Sequence, residues 1–226
     1  MNQSSTEKNK FETSGAGLHG LYVITDERAA GGHEAMARAA IEGGARVLQL
    51  RDKSTLASEI LEIARELRRL TRDAGVLFFI NDDPKLAAAC QADGVHLGPD
   101  DMTPCEARGV LGERALIGVS CGDASEAKIA AQNGADYIGA GAVFTTQTKL
   151  DAGAPIGLGV LREIVEATAL PVAAIGGVSL SNIAFLREAG AKMACVISAI
   201  SGEGDEAEMS AATHKLVRAF ELNFEN

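Results

Sequence analysis

The sequence predicts an α/β protein folded as a single-domain (β/α)8 TIM barrel, and three observations carry that expectation. Short apolar runs alternate with Ala-rich amphipathic segments from Leu21 onward, which is the pattern of repeated βα units. A phrase of glycine, alanine or acid followed by a buried strand recurs as EGGARVLQL, QADGVHL, QNGADYIG and EAGAKMACVI. The length, 226 residues, is close to the roughly 250 of such a barrel. An open doubly wound sheet is the runner-up, but it announces itself with GxGxxG after strand 1, where this chain reads ITDERAAGG.

In chain order, strands are expected over Leu21–Thr25, Arg46–Arg51, Val76–Asn81, Gly94–Leu97, Ala115–Ser120, Tyr137–Ala140, Val172–Ile175 and Ala194–Ser198. Each is a short apolar run of the kind a sheet buried on both faces requires. The amphipathic segments between them predict helices over Glu34–Glu42, Leu56–Arg72, Pro84–Cys90, Pro104–Leu111, Ala124–Asn133, Leu158–Ala167, Ser181–Glu188 and Asp205–Leu222. Proline suits the first turn in two of them. Gly43, Gly75, Gly134 and Gly190 follow helices and suit left-handed C-terminal caps. Residues 1–17 lack apolar periodicity and are expected to form a mobile tail, leaving 18–226 as the catalytic domain.

Composition narrows the function classes. Lys plus Arg number 21 against 31 Asp plus Glu, and the net charge of −10 repels nucleic-acid backbones and anionic membranes. Aromatics are only 4%, too few for base-stacking platforms. The four cysteines, Cys90, Cys105, Cys121 and Cys195, form no CxxC pair, which disfavours zinc and fits a reduced, cytoplasmic protein. No apolar run approaches the roughly 20 residues of a membrane span. Partners are therefore expected to be small molecules, with self-association left open.

In a barrel the chemistry belongs at the C-terminal strand ends. Strand 2 ends in Gln49-Leu50-Arg51-Asp52-Lys53, and strand parity turns Gln49, Arg51 and Lys53 to one face. An amide, a guanidinium and an ammonium together suit a pyrophosphate and a polar heterocycle. Asp82 after strand 3 and Asp101 after strand 4 are candidates to share a Mg²⁺, a hard cation that takes one or two carboxylates plus substrate phosphates. The competing role for Asp82 or Asp83 is to cap the helix starting at Pro84. Thr146, Thr148 and Lys149 place hydroxyls and an ammonium on the loop after strand 6. Gly176 and Gly177 closing strand 7, with Ile197 and Ser198 closing strand 8, stand at the recurrent phosphate position of this fold. His96 reads as a packed, hydrogen-bonded residue, and Cys121 has no histidine or cationic setting that would make it a nucleophile.

Taken in order, QLRDK, INDD, ADGVHLGPDDM, IGVS, DYIGAGAVFTTQTK, AIGGV and VISAI resemble the thiamine-phosphate synthase (thiamine-phosphate pyrophosphorylase) family over nearly all of the chain beyond the tail. The resemblance implies a Mg²⁺-dependent transferase that joins a pyrimidine pyrophosphate to thiazole phosphate, giving thiamine monophosphate and pyrophosphate. It implies that Gln49, Arg51, Lys53, Asn81 and Ser120 hold the pyrimidine pyrophosphate and that Asp82 and Asp101 hold the metal, with Asp100 as the fallback. It further implies that Lys149 contacts the leaving pyrophosphate, and that Thr146, Thr148, Gly176, Gly177, Ile197 and Ser198 hold the thiazole phosphate. Arg51, Lys149 and Ser120 are the expected catalytic residues.

Three positions depart from the family's usual pattern. Pro99 stands where a glutamine is common, Thr145 where a proline is common, and Gly122 where a histidine is expected after GVS. Related thiazole tautomerases rely on that histidine, so Gly122 favours the synthase. A non-catalytic sensor of thiamine precursors is the remaining alternative, and it has no need of the Mg²⁺ and lysine set.

Overall fold

A computed structural model of the chain describes residues 17–146, 148, 153–202 and 204–221. The expected tail up to residue 16, Lys149 and the last residue of the expected final helix, Leu222, lie outside the described residues. The alternating pattern is realised as β1 (Gly20–Ile24), α1 (Gly32–Glu42), β2 (Val47–Leu50), α2 (Ala57–Ala74), β3 (Leu77–Asn81), α3 (Pro84–Cys90), β4 (Gly94–Leu97) and α4 (Pro104–Leu111). It continues as β5 (Leu116–Cys121), α5 (Ala124–Gln132), β6 (Tyr137–Gly141), α6 (Gly157–Ala167), β7 (Val172–Ile175), α7 (Ile183–Glu188), β8 (Met193–Val196), α8 (Ser198–Ser201) and α9 (Glu206–Glu221). The strands are parallel and close in sequence order, with Tyr22 of β1 opposite both Val47 of β2 and Cys195 of β8.

The alternation of side chains along each strand divides the core in two. Tyr22, Val47, Phe79, Tyr137 and Met193 fill the barrel interior. Leu21, Leu48, Leu50, Phe78 and Ile80 pack outward under the helices. Tyr22, Tyr137 and Phe79 are almost wholly buried, worth about 2 kcal/mol or more apiece in apolar burial. Phe79 meets Tyr137 edge-on, with ring centroids 5.4 Å apart. Room for this aromatic floor comes from glycine on the facing strands: a Cβ on Gly118 would lie 2.0 Å from Tyr137 Cζ, and one on Gly139 would lie 2.7 Å from His96 Cε1.

The acid in the recurring strand phrase has a structural task at the opposite end from the mouth. Asp93, just before β4, accepts from the Phe78 N–H and from both Arg68 Nη1 and Nη2, at 2.7–2.9 Å. Asp136, just before β6, accepts from the Ile117 N–H and from Arg108 Nη2, both at 2.8 Å. Each aspartate thus ties the start of one strand to the preceding strand and to a helix.

The structure corrects two expectations. Gly43 is helical, with φ −72°, and the left-handed residue is Gly44. Glycine is needed at 43 because a Cβ there would sit 2.4 Å from Thr213 Cβ, where α9 crosses α1. Strand β8 ends at Val196, while Ile197 precedes and Ser198 begins the short helix α8, which the apolar run concealed.

Candidate active site

At the C-terminal strand ends lies a cavity of about 590 Å³, and every described candidate residue lines it except Asp83. Gln49, Arg51 and Lys53 reach it from β2 and the loop after it, as strand parity requires. Asn81, Asp82, Asp101 and Ser120 form the next stretch of wall. Thr146, Thr148, Gly176, Gly177, Ile197 and Ser198 complete it.

The competing claims on the two aspartates after β3 are resolved by position. Asp83 caps α3, accepting from the Lys85 and Leu86 N–H groups at 2.8 and 3.0 Å. Asp82 takes a left-handed backbone conformation, φ 64°, pinned by its N–H donating to the His96 carbonyl at 2.8 Å. An aspartate tolerates that strain better than most residues, and here it turns the carboxyl to the mouth.

Asp82 faces Asp101. Burial and the neighbouring Asp101 carboxyl push the Asp82 carboxyl up to about 6, against the pull of Lys53 and Arg51. Lys53 Nζ stands 3.8 Å from Asp82 Oδ2. Asp101 is held in place by the Gly98 N–H, which donates to its Oδ2 at 2.7 Å. Two opposed carboxylates form a hard oxygen donor set suited to a divalent cation. Among the described residues no cluster of three or more His, Cys, Asp or Glu could hold a metal alone. A cation at this pair would complete its shell with water and phosphate oxygens. Asp100 also lines the cavity, but Asp101 is the residue that meets Asp82.

On the opposite wall the loop after β6 meets α8. Thr148 Oγ1 donates to Ser198 Oγ at 3.3 Å, and the Thr148 N–H donates to Thr146 Oγ1 at 3.2 Å. Gly176 and Gly177 have φ of 102° and 63° and sit so close to Ala142 and Thr145 that neither could carry a side chain. Hydroxyls and bare backbone on this wall suit an anion.

Sequence reasoning missed the groups that hold these residues. A hydrogen-bonded chain crosses the cavity floor, every link 2.9 Å long: Gln49 Nε2 to Tyr22 Oη, Tyr22 Oη to Tyr137 Oη, Tyr137 Oη to His96 Nδ1, and His96 Nε2 to Ser120 Oγ. The packed role expected for His96 is thus found, but as a link between two site residues. Beneath the β2 loop, Asp52 accepts from the His33 ring and from Ser54 and Thr55. Its parity, opposite to Arg51 and Lys53, was the available signal. Gly122 follows β5 and places no imidazole there; its N–H donates to Glu126 Oε2 at 2.6 Å.

A closed (β/α)8 barrel with cations, paired carboxylates and a wall of hydroxyls and bare backbone at its C-terminal mouth defines a class of protein, the enzymes that act on small phosphorylated substrates. The family model described as thiamine monophosphate synthase matches residues 21–200. The chain is 42% identical to the thiamine-phosphate synthase of Moorella thermoacetica over 87% of its own length and 95% of the relative's. It is 47% identical to that of Methanoregula boonei, over 82% and 87% of the two chains. Among solved structures it is similar to the thiamine phosphate pyrophosphorylase of Pyrococcus furiosus, with TM-score 0.83, 41% identity, and 91% and 96% of the two chains covered. The chain belongs to the thiamine monophosphate synthase family.

Proposed function

We propose that this chain condenses 4-amino-2-methyl-5-(diphosphooxymethyl)pyrimidine with thiazole phosphate, releasing pyrophosphate and forming thiamine monophosphate, with Mg²⁺ held by Asp82 and Asp101. The observation that carries the reading is one cavity with two chemically distinct walls. The Asp82–Asp101 pair stands beside Arg51 and Lys53, and the Thr148–Ser198 contact faces them.

In this reading the pyrimidine methylene C–O bond breaks and its electron pair leaves with pyrophosphate. Arg51 and Lys53 stabilise the charge that develops on the leaving group, and Lys149 joins them by its match to the family motif. Bound Mg²⁺ would neutralise pyrophosphate charge. The methylene becomes electron-poor and is stabilised by its own aminopyrimidine ring, which Gln49, Asn81 and Ser120 orient. The nitrogen lone pair of the thiazole then forms the new C–N bond, with its phosphate held by Thr146, Thr148, Ser198 and the Gly176–Gly177 backbone. No protein nucleophile is needed. This agrees with Cys121, whose thiol burial pushes up to about 12. Positioning and electrostatics are the protein's contribution.

All four cysteines are free, which supports a reducing, cytoplasmic setting. The deciding experiment supplies purified protein with both substrates and Mg²⁺ and follows thiamine monophosphate. Product formation is expected. Thiazole isomerisation without condensation would instead assign the tautomerase reaction, and binding without turnover would assign a sensor.

A further inference from the structure

The chain of hydrogen bonds under the cavity takes its direction from the Gln49 amide, whose nitrogen faces Tyr22. Gln49 donates its amide N–H to Tyr22 Oη. The single Tyr22 hydrogen then serves the bond to Tyr137 Oη, and the single Tyr137 hydrogen serves the bond to His96 Nδ1. His96 therefore accepts at Nδ1 and carries its proton on Nε2, which donates to Ser120 Oγ. The Ser120 hydrogen is left to point away from the chain, and the Gln49 Oε1 oxygen is left as an acceptor. Both phenols stay protonated, because burial raises them well above the ordinary tyrosine value.

We propose that this relay fixes the His96 tautomer and thereby makes the site selective for a 4-aminopyrimidine over its 4-oxo analogue. Tyr22, Tyr137 and His96 are positioning residues that act through Gln49 and Ser120. The acceptor end, Gln49 Oε1, matches the N–H of an exocyclic amine, and the donor end, the Ser120 hydroxyl, matches a ring nitrogen. A 4-oxo ring presents a carbonyl where the amine would be, so two acceptors would face each other at a nearly fully buried glutamine. Reversing one bond requires reversing all four, since each phenol has one hydrogen to give. The amide can turn to suit the wrong ligand only if both phenols, the imidazole and the Ser120 hydroxyl reverse with it. Tyr137 is the middle of the relay, and it is placed by Gly118 on the neighbouring strand.

This inference rests on the synthase reading, and its test separates the two. Nitrogen-15 spectra of the histidine ring, assigned by the loss of signals in His96→Gln, should show wild-type His96 with an unprotonated Nδ1. In Tyr137→Phe, and independently in Tyr22→Phe, the tautomers should mix. The ratio of kcat/KM for the amino substrate to that for the oxo analogue should fall at least tenfold, with KM for thiazole phosphate unchanged. A wild-type ring protonated on Nδ1, or variants that keep both tautomer and discrimination, would overturn the relay while leaving the enzyme assignment intact. Folded wild-type protein that makes no thiamine monophosphate would overturn the synthase reading and the substrate half of the inference with it.

Discussion

His33 and Asp52, 19 residues apart, meet through a 2.9 Å hydrogen bond from Nε2 to Oδ2, directly beneath the loop that carries Arg51 and Lys53. Thr25 completes the arrangement, its hydroxyl hydrogen-bonded to His33 Nδ1 at 2.8 Å. Burial pushes the Asp52 carboxyl up, but donors from Thr55, Ser54 and His33 outweigh it and hold the group well below the usual carboxylate range. The folded pKa is thus depressed. Its stabilisation is fully present above the unfolded value of about 3.9 and is lost as pH falls below that. For Asp52→Asn the expected outcome is a loss of about 2 kcal/mol at pH 7, since several charge-assisted bonds weaken together. The gap to wild type should close between about pH 4 and lower pH. Urea unfolding at pH 7 and at pH 3 checks this. Kinetics should show a raised KM for the pyrimidine pyrophosphate with little change for thiazole phosphate.

The Asp82–Asp101 pair predicts opposite effects on stability and turnover. Asp82→Asn removes a like-charge contact and puts a well-tolerated residue at φ 64°. Solvent screening at a carboxyl that is 36% exposed keeps the expected gain in the metal-free protein to about 1 kcal/mol. Turnover should fall by about two orders of magnitude or more and should no longer respond to added Mg²⁺. Thermal melting with chelator and a Mg²⁺ titration of the rate test the two halves. A variant that stayed Mg²⁺-responsive would remove Asp82 from the proposed metal site.

Thr148 and Ser198 should separate the two substrates. Removing either hydroxyl takes a donor from the anion wall, so Thr148→Ala or Ser198→Ala should raise KM for thiazole phosphate about tenfold. KM for the pyrimidine pyrophosphate should stay within twofold, about the scatter expected of a distant site. Initial-rate measurements with each substrate varied in turn decide it, and equal effects on both would argue against two separate walls.

The staples at the far end of the barrel should affect stability alone. Asp93→Ala removes the carboxylate that Arg68 and the Phe78 N–H share, and Asp136→Ala the one that Arg108 and the Ile117 N–H share, at an expected cost of about 2–3 kcal/mol. Chemical denaturation should register the loss, while kcat and both KM values stay near wild type. A drop in kcat without unfolding would mean that strand starts and mouth are coupled.

Much of the fold was legible because its signals are local. Pro84 and Pro104 marked helix starts that the structure keeps unchanged, and β4 and β7 have the predicted bounds. Parity along β2 correctly turned Gln49, Arg51 and Lys53 to the cavity. Helix α8 was missed because its four residues continue an apolar strand and carry no cap signal.

The sequence by itself determined the barrel and the contents of its mouth, since hydropathic alternation and strand parity act over a few residues, and the repeated βα unit admits few arrangements. Tertiary structure alone decided which groups touch. That Asp82 serves the mouth while Asp83 caps α3 depends on a β4 carbonyl that accepts from the Asp82 N–H. That Tyr22 joins Tyr137 across 115 residues depends on closure of the sheet. Hydrogen bonds between distant strands follow the barrel's register, and no local pattern encodes them. The −10 net charge was visible from the start, but only the folded mouth brings Arg51 and Lys53 beside two carboxylates in an acidic protein.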